Sequence, residues 1–329
     1  MLLRTTTLIL LGALSGKAFP SPGDSTLVWP TPPDRARIRY VETISQDTGA
    51  GEERGFLSKL FGFLTGGVRP PEWLVQPVGI AVSPDGVIVV SDPGSRAIHI
   101  FDRAKHEHRL VTETKFGKFI APVGLAFGPD GSLYVSDSDR GDITVLDRDF
   151  EATSQIKGSL NRPTGLCIFG NRLFAVDSRW HKVFIFALDG TPVASFGRRG
   201  AGTGEFNFPV QIGARDSLYV VDQLNYRVQK FDAAGNFGSS FGMYGNVAGR
   251  FASPKAIAFD SDNHCYVTDA LMDNLQIFSS AGQLLLIVGR QGRLEGEFLS
   301  PGGIAIDRND RIFVVEMLNR RIQIFQYLK

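Results

Sequence analysis

The chain has 329 residues, 43% of them hydrophobic and 21% charged, which is enough apolar material to fold and excludes a disordered chain. It holds 37 Gly and 17 Pro without the every-third-residue glycine of collagen, so many turns are expected. The formal charge of +1 offers no bulk attraction to nucleic acid or membrane, and Cys167 and Cys265, with no C-x-x-C, exclude a disulfide framework, a zinc ribbon and c-type haem attachment.

In chain order, Arg4, the apolar run from Thr5 to Leu14 and the small residues Gly16 and Ala18 read as a signal peptide over residues 1–18. The apolar run is too short to span a bilayer. Cleavage after Ala18 removes Arg4 and Lys17 and takes the charge from +1 to −1. The mature protein is therefore expected to be exported, to the periplasm or cell exterior, with no transmembrane span. Residues 19–36 form a Pro-rich lead-in, and residues 37–44 alternate as a strand. An insertion follows over residues 45–76. Within it Phe56, Leu57, Leu60, Phe61 and Leu64 share one face of a short helix, with Lys59 its only charge. Such a helix suits either a cap on the fold or an exposed docking element for a partner or a membrane surface.

Residues 77–329 are a repeat. Proline recurs at Pro77, Pro122, Pro163, Pro209, Pro254 and Pro301, each followed by a short apolar run such as Gly79 to Val82 or Gly303 to Ile306. A turn such as Asp85-Gly86 or Asp130-Gly131 comes next, a hairpin signal. A second strand ends in an acid each time: Asp92, Asp137, Asp177, Asp222, Asp269 and Glu316. A third alternating strand begins five residues after each acid, and a fourth, such as Val193 to Phe196, leads to the next repeat. Six four-stranded units without helical periodicity predict an all-β fold, a six-bladed β-propeller. The sixth unit lacks a fourth strand, and residues 37–44 are available to supply it. Cys167 and Cys265 fall in the third and fifth blades and are expected to be buried free thiols.

Three linkers are closely alike. Gly197, Gly200, Gly204 and Phe206 recur as Gly242, Gly245, Gly249 and Phe251, and as Gly289, Gly292, Gly296 and Phe298. With Pro301-Gly302-Gly303-Ile304-Ala305, Val220-Val221-Asp222 and Arg321-Ile322-Gln323-Ile324-Phe325, they resemble the NHL repeat, whose arrays form six-bladed propellers. The first two linkers, at residues 116–119 and 159–160, have lost the Gly-rich loop. Trp29 to Asp34 resembles the lead-in of exported bacterial members. A phosphate loop is not indicated, because Gly204 leads into Phe206 and a strand rather than Gly-Lys-Ser/Thr and a helix.

An up-and-down sheet places the turns after the acids and the blade-to-blade crossings on one face. That face carries variable residues, and Arg96, Arg140, Arg179, Trp180, His181, Tyr226 and Arg320 are the candidates for partner binding, Trp180 and Tyr226 as aromatic anchors. The acids read as structural. Peptidyl-α-hydroxyglycine α-amidating lyases resemble this repeat, and the resemblance implies zinc held by three histidines. Asp177 to His181 followed by Lys182-Val183-Phe184 matches one such motif, but the other blades have no histidine at that offset. His106 and His108 read as residues of a turn on the opposite face. A calcium lactonase is a second enzyme possibility, without an acid–Asn set to select it. The expectation is a non-catalytic propeller holding a protein or cell-envelope component, with no metal, no cofactor and no nucleic acid; the alternative is a metal-dependent propeller enzyme.

Overall fold

The computed structural model describes residues 27–46 and 73–329. The predicted helix over residues 56–64 lies outside them, as does the signal peptide. Six antiparallel sheets follow one another around a ring, each a meander of strands in sequence order from the innermost outward. In the second blade the strands are Pro122–Phe127, Leu133–Asp137, Asp142–Leu146 and Ala152–Ile156. The first, third, fourth and fifth blades repeat this plan, beginning at Gly79–Val82, Pro163–Phe169, Pro209–Ala214 and Pro254–Phe259. The sixth blade has Pro301–Ile306, Arg311–Glu316 and Arg321–Tyr327, and Ile38–Ile44 pairs with the last of these. Closure of the ring by the early strand is therefore observed. The sheet also gains a fifth strand: Val28–Trp29 of the lead-in pairs with Ile38 and Arg39.

Why the second strands read as continuous apolar runs follows from their position. Each is sandwiched between two neighbouring blades, so alternate side chains go to opposite interfaces. Val89 packs into the core shared with the second blade, while Ile88 and Val90 join the core shared with the sixth. Each of the six hydrophobic clusters spans one pair of adjacent blades.

Each crossing drives one apolar side chain into the interface it bridges, always three residues before the recurring proline. Phe206, Phe251 and Phe298 are fully buried there. Phe119 and Leu74 are buried in the equivalent places, and Leu160 packs against the corresponding cluster. The first two crossings, which look degenerate in sequence, thus keep an apolar plug, Phe119 and Leu160, and lose the repeated-glycine loop, with Gly117 and Gly158 remaining. Those glycines serve the Phe plugs: Gly197, Gly242 and Gly289 have φ of 87°, 90° and 82°, and a Cβ at each would lie within 2.4 Å of the Phe ring.

Hydroxyls stitch several blades together. A register shift beside the proline frees an inner-strand N–H. Gly124 N–H donates to Ser136 Oγ at 2.8 Å, and Ser136 Oγ donates to the carbonyl of Thr164 in the next blade at 2.6 Å. Ser91 and Thr268 do the same toward Val123 and Gly302. Cys167 and Cys265 are buried free thiols, and burial pushes both thiol pKa values up.

Candidate functional site

The turns after the acids and the crossings do share a face, and the acids build it. Asp269 accepts N–H bonds from Ala252 and Ser253 in the crossing, at 2.7 and 2.9 Å, and from Leu271 and Met272 in the turn, at 3.1 Å each. Asp92, Asp137 and Asp177 repeat the pattern. In the fourth and sixth blades a cation joins: Arg227 bonds Asp222, and Arg321 bonds Glu316. Burial raises the pKa of both carboxyls despite these partners. The acids are structural.

The glutamine of the third strand clamps the Gly-rich crossing. Gln276 Oε1 accepts from Gly249 N–H at 2.9 Å and its Nε2 donates to the Arg250 carbonyl at 2.7 Å; Gln229 and Gln323 do likewise. Gln276→Leu leaves both backbone groups unpaired. We expect a loss of about 1–3 kcal/mol in denaturant unfolding, with faster amide exchange at Gly249.

The residue before each third strand is held in a left-handed conformation, with φ of 54° at Arg96, 69° at Gly141, 54° at His181, 57° at Tyr226, 48° at Asp273 and 53° at Arg320. His181 and Asp273 use this pose to reach the next crossing: His181 Nδ1 accepts Phe208 N–H at 3.0 Å, and Asp273 Oδ1 accepts Ser300 N–H at 2.7 Å. Burial and nearby Arg199 lower the His181 pKa, consistent with a neutral ring that accepts there. Arg140 is tied to Asp142 at 3.0 Å and to the Lys118 carbonyl. Tyr226 packs on Tyr244 with centroids 4.8 Å apart. Trp180 is 51% exposed, and Arg96, Arg179 and Arg320 are exposed.

Large apolar residues are prominent among what remains open. Leu224, Leu271 and Leu318 each stand two residues after the acid of the fourth, fifth and sixth blades, and they are 47%, 73% and 65% exposed. Met243, Tyr244 and Val247 in one crossing and Leu294 in the next extend the same surface. Among the described residues, ten of the fourteen exposed large hydrophobics lie on this face; the other four, Val41, Val193, Phe237 and Leu285, sit on outer strands. Reading one blade at a time hides the leucines. Stacked repeats reveal them, because Gln223-Leu224-Asn225, Ala270-Leu271-Met272 and Met317-Leu318-Asn319 keep Leu in a solvent turn.

One histidine expectation is corrected. His108 is in the outer strand Glu107–Val111, not in a turn, because its ring stacks on Phe101 at 4.4 Å and its Nε2 meets His99 Nδ1 at 3.1 Å. His99 occupies the place that Gln takes in the last three blades. It is fully buried, with Ser95 Oγ at 3.0 Å and Asp92 at 3.7 Å from its Nε2. Burial lowers the His99 pKa to about 4, which makes the ring a weak proton acceptor at neutral pH. Among the described residues no group of three or more His, Cys, Asp or Glu side chains is placed to hold a metal ion, and no helix is long and apolar enough to cross a membrane.

A family model described as a 6-bladed beta-propeller matches residues 251–327. The chain is 44% identical over 71 residues to RING finger protein nhl-1 of Caenorhabditis elegans, a match over 21% of this chain that spans 7% of that protein's length. The chain is a six-bladed β-propeller. Solved structures agree on the propeller fold. A streptogramin B lyase aligns over 79% of this chain and 96% of its own, at 14% identity and a TM-score of 0.60. An auxiliary nutrient binding protein from Bacteroides thetaiotaomicron aligns over 78% and 70%, at 14% identity and a TM-score of 0.61. The propeller's neighbours thus include both a lyase and a binding protein, and the likeness is one of fold.

Proposed function

We propose that the chain is an exported, non-catalytic binding propeller that holds a protein or cell-envelope component on the face formed by the crossings and the turns after the acids. The concentration of exposed apolar side chains on that face carries this reading, because monomeric proteins rarely leave a large apolar patch open to water without use. The regular Leu224, Leu271 and Leu318 and the open Trp180 are the anchors such a surface would use. The fixed hydrogen-bond frame beneath them presents these side chains with little ordering cost on binding.

The test compares affinity capture by the mature wild type with capture by Trp180→Ala and by the triple variant Leu224→Ser, Leu271→Ser, Leu318→Ser. Each anchor is expected to contribute about 1–2 kcal/mol, so the triple variant should lose a specific partner at least tenfold. Equal recovery by all forms would remove the face assignment. Stoichiometric zinc in the purified protein, lost in His181→Ala, would favour the metal-enzyme alternative instead.

A further inference from the structure

The charges that surround the apolar crescent point to a class of partner. In the turns after the acids and in the three Gly-rich crossings, cations outnumber acids. Glu205 and Glu297 are consumed locally, paired with Arg198 at 2.8 Å and with Arg290 at 2.8 Å. Asp273 is buried on the Ser300 amide. The exposed acids left in these loops are Asp139 and Glu295. Against them stand Arg96, Arg179, Arg199, Arg293 and Arg320, all exposed, none with a side-chain hydrogen bond or ion pair among the described residues. Arg179 directly precedes Trp180, Arg293 directly precedes Leu294, and Arg320 follows Leu318 by two residues, so along these loops exposed apolar residues and free guanidinium groups stand close together in the chain.

We infer that the partner's docking segment is an acidic peptide with bulky apolar side chains between its carboxylates, an inference that rests on the docking face proposed above. Guanidinium forks bind carboxylates in two-pronged geometry, while aliphatic anchors need apolar side chains opposite them. Nucleic acid suits the face less well, because most of its exposed large apolar side chains are aliphatic, leaving Trp180 and Tyr244 as the large exposed aromatics on which bases could stack. Complementary charge of this kind acts chiefly on the rate of association and on partner choice, and it is weakened by salt.

The probe is a displayed library of random twelve-residue peptides selected on the mature full chain at low salt. Selected peptides are expected to be enriched in Asp and Glu beside Leu, Phe or Trp. Their affinity should fall at least tenfold in the Leu224, Leu271, Leu318 triple variant, at least tenfold in Arg179→Glu/Arg320→Glu, and severalfold between 50 mM and 500 mM salt. Circular dichroism and thermal unfolding of each variant confirm that it is folded. Peptides that ignore the Leu variant overturn the docking face itself. Peptides that need the leucines but ignore the charge reversal, or that are basic, overturn the acidic partner while leaving the face intact. Tighter binding of a single-stranded oligonucleotide or of anionic phosphatidylglycerol vesicles than of the selected peptides also overturns it.

Discussion

Phe251→Ala should be the most damaging single change in the propeller, with an expected loss of about 3–5 kcal/mol of stability. The ring has no exposure at all and meets Phe241 and Phe278 with centroids 6.5 and 5.6 Å away, between the fourth and fifth blades. Truncation removes its transfer free energy and leaves a void that the surroundings can only partly fill. The strands on either side are locked by ladders, and Gly242 is already in contact with the ring edge. Denaturant unfolding of the two proteins at neutral pH checks the value. A loss under about 1 kcal/mol would mean that the crossing, not the plug, holds these blades together. Phe251→Leu, which keeps most of the apolar volume, should recover much of the loss.

Acid should destabilise the first blade through His99. Its folded pKa, about 4, lies below the value near 6.5 expected for the unfolded chain. Between those values the unfolded state binds a proton that the native state refuses, so stability falls as pH drops from about 6.5 to about 4 and levels off below. The full effect is about 3 kcal/mol, because each tenfold loss of proton affinity on folding is worth about 1.4 kcal/mol. His108, whose pKa burial also lowers, acts in the same direction. His99→Gln installs the residue that the last three blades use at this place and cannot take up the proton. The difference in unfolding free energy between wild type and His99→Gln, measured from pH 7 to pH 4, should therefore grow against the wild type by about 3 kcal/mol. A constant difference across that range would show that the native ring charges freely.

Much of the architecture is legible in the chain because a propeller repeats its physics. Pro122, the acid at Asp137 and the alternation of residues 142–146 each have counterparts in all six blades, so weak local signals reinforce one another, and Arg37 to Ile44 reads as a strand in want of a partner. What escapes is whatever depends on contacts between units. Ser136 looks like any polar strand residue until its hydroxyl is seen bridging to Thr164 in the next blade. His108 looks like a turn residue because His106 and Lys105 beside it are polar, while its own ring is drawn inward by Phe101 and His99. At the candidate site Trp180 is conspicuous by its size and proves to be exposed. Arg140 is equally conspicuous but is bound to Asp142, a pairing that emerges only once both stand on the same turn. Leu224, Leu271 and Leu318 escape because apolar residues are ordinarily taken for core, and only solvent exposure sets them apart from core fillers.

The sixth blade joins Arg321–Tyr327 to Ile38–Ile44, residues from nearly opposite ends of the described chain. Among the strand pairings of the described residues it has the greatest sequence separation and carries the largest loop-closure cost, so it should form late in folding. Until it forms, the sixth blade lacks its outer strand, the first and sixth blades are held chiefly by their shared apolar core, and either end can fray. Once it forms, no blade can peel away without parting two interfaces at once. One late handshake thus turns a modular array into an all-or-none unit, and the proposed binding face inherits that cooperativity: Trp180, Leu224, Leu271 and Leu318, spread over four blades, keep their spacing only while the whole circle is shut.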